Sequence, residues 1–253
     1  MMSWECASAA AIGTAHVERD GVCQDRCSSR VFDQSGTKWV AVFVADGAGS
    51  AQHSELGAEL AINTANESIA QLMHLAEFSL DESLAVQIIS DIRQAIAFAA
   101  EGSGLPTRSF ACTFLGAICS AAGTIVFQIG DGGIVLDAGH GLELALEPKN
   151  GEYANMTHFC TDADALKNLQ CRIYPAGVKA VAAFSDGLQR LALDMARGEP
   201  HVPFFEPIFR KVAGLNEVTR PQISGALESF LGSTRVNERT DDDKSLAIAV
   251  LRA

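Results

Sequence analysis

Five aspartates, each in a turn-like motif, constrain this chain more than any other feature. They are Asp25 in CQD, Asp46 in VADGAGS, Asp131 in IGDGG, Asp186 in FSDG and Asp242 in TDDDKS. Four of the motifs adjoin apolar β-type runs. WVAVFVA leads into Asp46, TIVFQIG into Asp131 and VAAFS into Asp186, while LAIAVL follows Asp242. Strands that end near one another bring such carboxylates to one edge of a sheet. Clustered carboxylates repel unless cations neutralise them, and all-oxygen ligand sets select hard divalent ions such as Mg²⁺ or Mn²⁺. The residues by themselves therefore point to a carboxylate metal site placed by strands.

The chain has 253 residues, enough for one large domain or two small ones. No internal repeat, low-complexity tract or linker divides it, so a single domain over 1–253 is expected. At 48% hydrophobic and 20% charged residues it reads as a globular protein. No apolar stretch approaches the roughly 20 residues that span a bilayer, so no membrane association is expected. The start, MMSWECASAAAIG, lacks a basic region and carries Glu5, unlike a secretory signal. Seven cysteines without a framework spacing fit reduced thiols, and the expected location is cytoplasmic. A net charge of −12 argues against nucleic acid as a partner.

Local patterns predict a buried strand over 38–45 and a helix from Ser54 to Met73 with Leu56, Leu60, Ile69 and Leu72 at near-helical spacing and Ala58, Ala61 and Ala65 allowing close packing. Asp81 is placed to cap a second helix carrying Leu84, Ile88, Ile92 and Ile96. A loop follows over 101–108. Strands are expected near 110–119, 124–130, 133–137, 141–146, 178–184 and 245–251. Helices are expected over 187–197, 205–213 and 219–231, with Pro200 to Pro207 as a break. Residues 148–165 read as a long surface segment. Strands and helices in segregated runs suggest α+β layers rather than a βαβ repeat.

Taken in order, the five motifs resemble those of the metal-dependent protein phosphatases of the protein phosphatase 2C family. GTAHVERDGVCQD stands at the family's first acidic motif, VADGAGS at its Asp-Gly-x-Gly signature and SFACTFLGAI at its Thr-containing strand. IGDGGIVL is similar to the Gly-Asp hairpin, AAFSDGLQRL to the Ser-Asp-Gly motif and DDKSLAIAVL to the terminal Asp-Asn-x-Thr strand. GEYANMTHF and the short length resemble the smaller bacterial branch. The resemblance implies a four-layer α-β-β-α sandwich of two antiparallel sheets flanked by helices, with a centre for two Mn²⁺ or Mg²⁺ ions and a position for a third. By the same resemblance Asp46 bridges two metals and the Gly47 carbonyl binds one. Asp186 and Asp242 complete the first metal, Asp25 faces the second directly or through water, and Asp131 holds a weaker third ion. Asp46 and Asp25 thereby carry the catalysis. The implied activity is hydrolysis of phosphoserine and phosphothreonine in proteins, with phosphorylated proteins and a cognate Ser/Thr kinase as partners.

The chain departs from the family pattern in four places. Asp20 stands where an arginine grips the substrate phosphate, which leaves Arg19 one residue away as the favoured cation, with Arg26 and His16 as alternatives. Ala48 offers no titratable group after Asp-Gly, Gln24 replaces a glutamate, and Asp243 replaces an asparagine. These departures keep an alternative open: a catalytically weak, pseudophosphatase-like regulatory or phosphoprotein-binding module. Cys23 and Cys27 form CxxxC without a second pair, which reads as structural thiols rather than zinc ligands.

Overall fold

A computed structural model describes residues 2–34, 36–74, 78–147 and 157–252. One antiparallel sheet orders its strands as β1 (Ser3–Ala11), β12 (Lys244–Arg252), β9 (Ala180–Phe184), β6 (Gly133–Asp137) and β7 (Leu142–Leu144). The other orders them as β2 (Arg26–Gln34), β3 (Thr37–Ala45), β4 (Phe114–Ser120), β5 (Gly123–Ile129) and β8 (Gln170–Tyr174). Helices α2 (Ser54–Leu72) and α3 (Glu82–Ser103) cover the second sheet, and α6 (Val202–Ala213) and α7 (Ile223–Leu231) cover the first. Short helices α1 (Thr14–Val17), α4 (Ala165–Asn168), α5 (Gln189–Ala192) and α8 (Thr234–Asn237) lie in the connections, with a small hairpin of β10 (Leu193–Asp194) and β11 (Glu199–Pro200). This is the expected α-β-β-α sandwich.

The continuous apolar runs follow from burial on both faces. Val40, Val42 and Val44 of β3 pack between the sheets against Val181, Ala183, Ala247 and Ala249. Ala41, Phe43 and Ala45 alternate with them and face α2 and α3. Similarly, Leu246, Ile248 and Val250 of β12 point to α6 and α7, and the alanines between them point inward. Glu5 is buried but accepts two hydrogen bonds from Arg220, at 2.9 and 2.7 Å, which ties the segment leading into α7 to β1.

Helix α3 meets expectation at its start: the Ser83 N–H donates to Asp81 Oδ1 at 2.9 Å, and Leu84, Ile88, Ile92 and Ile96 are buried. It runs into the expected loop as far as Ser103, where Gly104 at φ 68° closes it in a left-handed cap. Helix α2 packs on the sheet through Ile69 and the alanines, with Leu60 and Leu72 partly buried against the same core. Ala58, Ala61, Ile62, Ala65 and Ile69 are buried, whereas Leu56 is 40% exposed. Small side chains let α2 approach its neighbours closely, and of the expected stripe Leu56 is the residue left facing solvent.

The helix expected over 187–197 stops at Ala192, because the chain turns into the β10–β11 hairpin, and Met195 is exposed. Conversely, α6 starts inside the expected break. Pro203 falls in its first turn, where no backbone N–H is needed, and the buried Phe204, Phe205 and Phe209 hold it against the sheet despite Pro207. The segment expected over 110–119 begins as a 3₁₀ turn at Thr107–Phe110 and becomes a strand only at Phe114. Of the expected surface segment 148–165, residues 148–156 lie outside the described residues. Cys160 and Ala165 are buried, and Arg93 donates to the carbonyls of Cys160 and Asp162. Among the described residues no helix is long and apolar enough to cross a membrane.

Candidate metal centre

Strand register gathers the acidic motifs at one end of the sandwich. Arg26 of β2 pairs with Ala45 of β3, which sets Asp25 beside Asp46. Phe114 pairs with Ile129, so the β5–β6 turn carrying Asp131 emerges next to the end of β3. Phe184 pairs with both Gly133 and Leu246, which brings Asp186 and the 241–243 turn to the same edge. Asp46, Gly47, Asp131, Asp186 and Asp242 line one pocket of about 180 Å³, together with His16, Gln24 and Thr113. Asp25 is 1% exposed and sits close enough to Asp46 for the two charges to oppose each other. Arg19 is exposed on the turn after α1 and does not line the pocket. Arg26 is engaged in holding the turn before β2, donating to the carbonyls of Cys23 at 2.7 Å and Asp25 at 2.9 Å.

The carboxylates are strongly perturbed. Burial pushes Asp25 up to about 7; the nearby Asp243 charge adds to this, and the Ser185 and Ser245 hydroxyls and Asp46 partly offset it. These hydroxyls ease the charge without closing a hydrogen bond of good geometry, and both Asp25 carboxylate oxygens are buried without a partner. Burial likewise raises Asp46 well above the usual carboxylate range, reinforced by the charges of Asp25, Asp186 and Asp242. Asp186 rises to about 6, first through burial and then through Asp131 and Asp242, while its contact with Asp46 works the other way. Asp46 and Asp186 lie close enough for each to perturb the ionisation of the other. By contrast, burial pushes the Cys23 and Cys27 thiols up to about 12, as for inert structural thiols.

Neutral and charged neighbours hold the ligands in place. The Asp46 N–H donates to Thr113 Oγ1 at 3.1 Å, and the Thr113 N–H returns a bond to the Asp46 carbonyl at 2.8 Å. Thr157 Oγ1 donates to Asp131 Oδ2 at 2.6 Å, and Gln189 donates to the Asp131 carbonyl. Neither Thr157 nor Gln189 was singled out in the sequence, although Gln189 follows Asp186 by three residues, because nothing local shows that either reaches Asp131. Two glycines are needed for close approach. A Cβ at Gly47 would stand 2.9 Å from the Gln24 carbonyl oxygen, and one at Gly187 would stand 2.0 Å from that of Asp243.

Asp243, which stands where the family pattern has an asparagine, is a buried supporting tie. It accepts hydrogen bonds from the N–H groups of Gly13 and Gln24, both at 2.6 Å, and its Oδ2 lies 2.9 Å from His16 Nδ1. One carboxylate thus joins the turns after β1, before β2 and before β12. Asp243→Ala is expected to cost roughly 2–4 kcal/mol in chemical denaturation, because it strands two buried donors. A loss below 0.5 kcal/mol, on the order of a surface change, would contradict that role.

Among the described residues no three metal-type side chains have closed into a ready-made cage. The donor set nonetheless fits divalent cations. It is all oxygen, its carboxylates repel one another, Asp25 has unpartnered oxygens, and the Gly47 backbone is unobstructed by a side chain of its own.

Residues 12–231 match the family model described as protein phosphatase 2C. The chain is 47% identical over 252 residues to serine/threonine-protein phosphatase 3 of Escherichia coli (strain K12), covering 98% of this chain and 99% of that protein. Among solved structures it is similar to the serine/threonine phosphatase Stp1 from Staphylococcus aureus, with a TM-score of 0.64 at 13% identity over 99% of this chain and 96% of that one. It is also similar to the catalytic domain of the phosphatase PstP in complex with two manganese ions, with a TM-score of 0.61 at 14% identity over 100% of both chains. These two structural likenesses speak for the fold alone. The family match and the near full-length identity decide the relationship: the chain belongs to the protein phosphatase 2C family.

Proposed function

We propose that the protein is a metal-dependent serine/threonine protein phosphatase that removes phosphate from phosphoserine and phosphothreonine in proteins. The observation that carries the reading is the convergence of Asp46, Asp131, Asp186 and Asp242 on one pocket, with the unpartnered Asp25 beside Asp46. Family membership and the name of the 47% identical relative support it. The proposed ions are two Mn²⁺ or Mg²⁺, as in the manganese-bound PstP structure. Asp46 and the Gly47 carbonyl, with Asp186 and Asp242, would hold the first, and Asp46 and Asp25 would hold the second. Asp131, fixed by Thr157 and Gln189, is the site for a weaker third.

Bound divalent ions supply Lewis-acid polarisation of the phosphoryl group and make water acidic enough to attack at neutral pH. The chain's own contribution is positioning. Thr113 fixes the backbone of Asp46, and Asp243 locks the turns that present Gln24 and Asp242. Arg19 makes no ion pair among the described residues and is the proposed cation for the substrate phosphate.

Steady-state kinetics on a phosphothreonine peptide with added Mn²⁺ tests this reading. Asp242→Ala is expected to lower kcat/KM by about 10²-fold or more, a change worth roughly 2.7 kcal/mol, whereas the exposed neighbour Asp241→Ala stays near wild type. Arg19→Ala should raise KM and leave Mn²⁺ affinity unchanged. Absence of Mn²⁺-dependent turnover in the folded wild type would defeat the proposal, and equal losses at Asp241 and Asp242 would show that the ligand is misassigned.

A further inference from the structure

A second cavity, about 790 Å³ in volume, opens on the outer side of the first sheet between α5, α6, α7 and α8. It shares no lining residue with the metal pocket. Its floor reaches the sheet at Ala7 of β1, and Val212 and Val236 beside it are almost fully buried. The walls are apolar, with Leu191, Phe204, Ile208, Leu227 and Phe230. Four cations join them: Arg190, Lys211, Arg235 and Arg239, all exposed. Glu238 is the one carboxylate in the lining.

Like Arg19, Arg30, Arg108, Lys167 and Arg210, these cations have no ion-pair partner among the described residues, but these four line one apolar cavity. Arg26, Lys38, Arg172, Arg197, Arg220 and Arg252 each have a carboxylate partner. None of the four around the cavity forms an ion pair among the described residues, although the chain carries 31 acidic against 19 basic residues. Four cations against one carboxylate give the lining a positive balance that an anion would complement. The volume falls in the range of small-molecule sites, roughly 300–1,000 Å³. Its depth, down to the sheet, suits a compact ligand better than a docked helix, which needs a long trough with anchors at i, i+3, i+4 and i+7.

We propose that this cavity binds a free long-chain carboxylate, whose hydrocarbon tail lies on the phenylalanine and leucine walls and whose head group is held by Arg190, Lys211, Arg235 and Arg239. Tail burial makes affinity climb about three- to fourfold per added methylene. The cations select the sign of the head group.

Calorimetric titration of the full chain with dodecanoate below its micelle-forming concentration tests the proposal. Saturable binding at one site is expected, with decanoate about 10-fold weaker. Lys211→Glu combined with Arg239→Glu should weaken dodecanoate by about 10-fold or more. Ala226→Trp, which fills the cavity from an exposed position on α7, should abolish binding while the far-ultraviolet spectrum stays unchanged. The proposal is overturned by absence of saturable binding, or by equally tight binding of dodecyltrimethylammonium. It is also overturned by unchanged affinity in both variants, or by binding confined to anionic vesicles or acidic peptides.

Discussion

Asp46→Asn is expected to yield a folded protein whose kcat/KM on a phosphothreonine peptide is at least about 10³-fold below wild type, a loss of roughly 4 kcal/mol. Asparagine keeps the shape of Asp46 and its backbone bonds with Thr113. It removes the charge proposed to bridge two cations, and a neutral amide oxygen is a far weaker ligand for a hard divalent ion. The same change should raise the stability of the metal-free protein. Burial and the charges of Asp25, Asp186 and Asp242 all oppose ionisation of Asp46 in the fold, and the variant escapes that opposition. Activity and metal-free stability therefore move in opposite directions. Turnover near wild type would remove Asp46 from the metal centre, and a large drop in melting temperature would show that the loss of activity came from misfolding.

The second large effect is a dependence of stability on pH and on divalent cation. Asp25 titrates at about 7 and Asp186 at about 6 in the fold, above the roughly 3.9 of an unfolded aspartate. A raised folded pKa means that the folded state binds its proton more tightly. The contribution is therefore fully present below about pH 4 and is lost as pH rises through 6 and 7. At about 1.4 kcal/mol per pH unit, Asp25 alone accounts for at most ~4 kcal/mol of that loss. Metal-free wild type should thus weaken relative to Asp25→Asn between pH 4.5 and 8 in denaturant titrations. Added Mn²⁺ should restore wild type more at pH 7.5 than at pH 5, because the cation takes over the neutralising role of the protons. A wild-type-minus-variant difference that stays flat with pH would refute the buried-charge account of Asp25.

Much of the site was legible in the sequence because its signals are local. An apolar run that ends in Asp-Gly marks a strand end and a carboxylate together, and β3, β5 and β9 all behave this way. Alternate burial explains WVAVFVA and LAIAVL without any knowledge of their partners. The Asp81 cap and the isoleucine stripe of α3 follow from the same local rules.

What stayed hidden depends on contacts between distant segments. β1 is rich in alanine, β2 is polar and β8 is short, so their strand character came from pairing with β12, β3 and β5. Leu56 belongs to the apolar stripe of α2 yet faces solvent, because where the stripe ends against the sheet is set by tertiary packing. Asp243 reads as one of three acids in a turn, yet tertiary structure makes it the tie between Gly13 and Gln24. The cavity ringed by Arg190, Lys211, Arg235 and Arg239 draws on four separate helices and has no trace in any single stretch of sequence. The sequence by itself determined which carboxylates end strands and which residues form the layers' cores, because turn chemistry and the periodicity of burial act over a few residues. Only the tertiary structure decided which carboxylates converge, which one braces the others and which cations are left unpaired, because register and packing set distances between segments that the chain order leaves free.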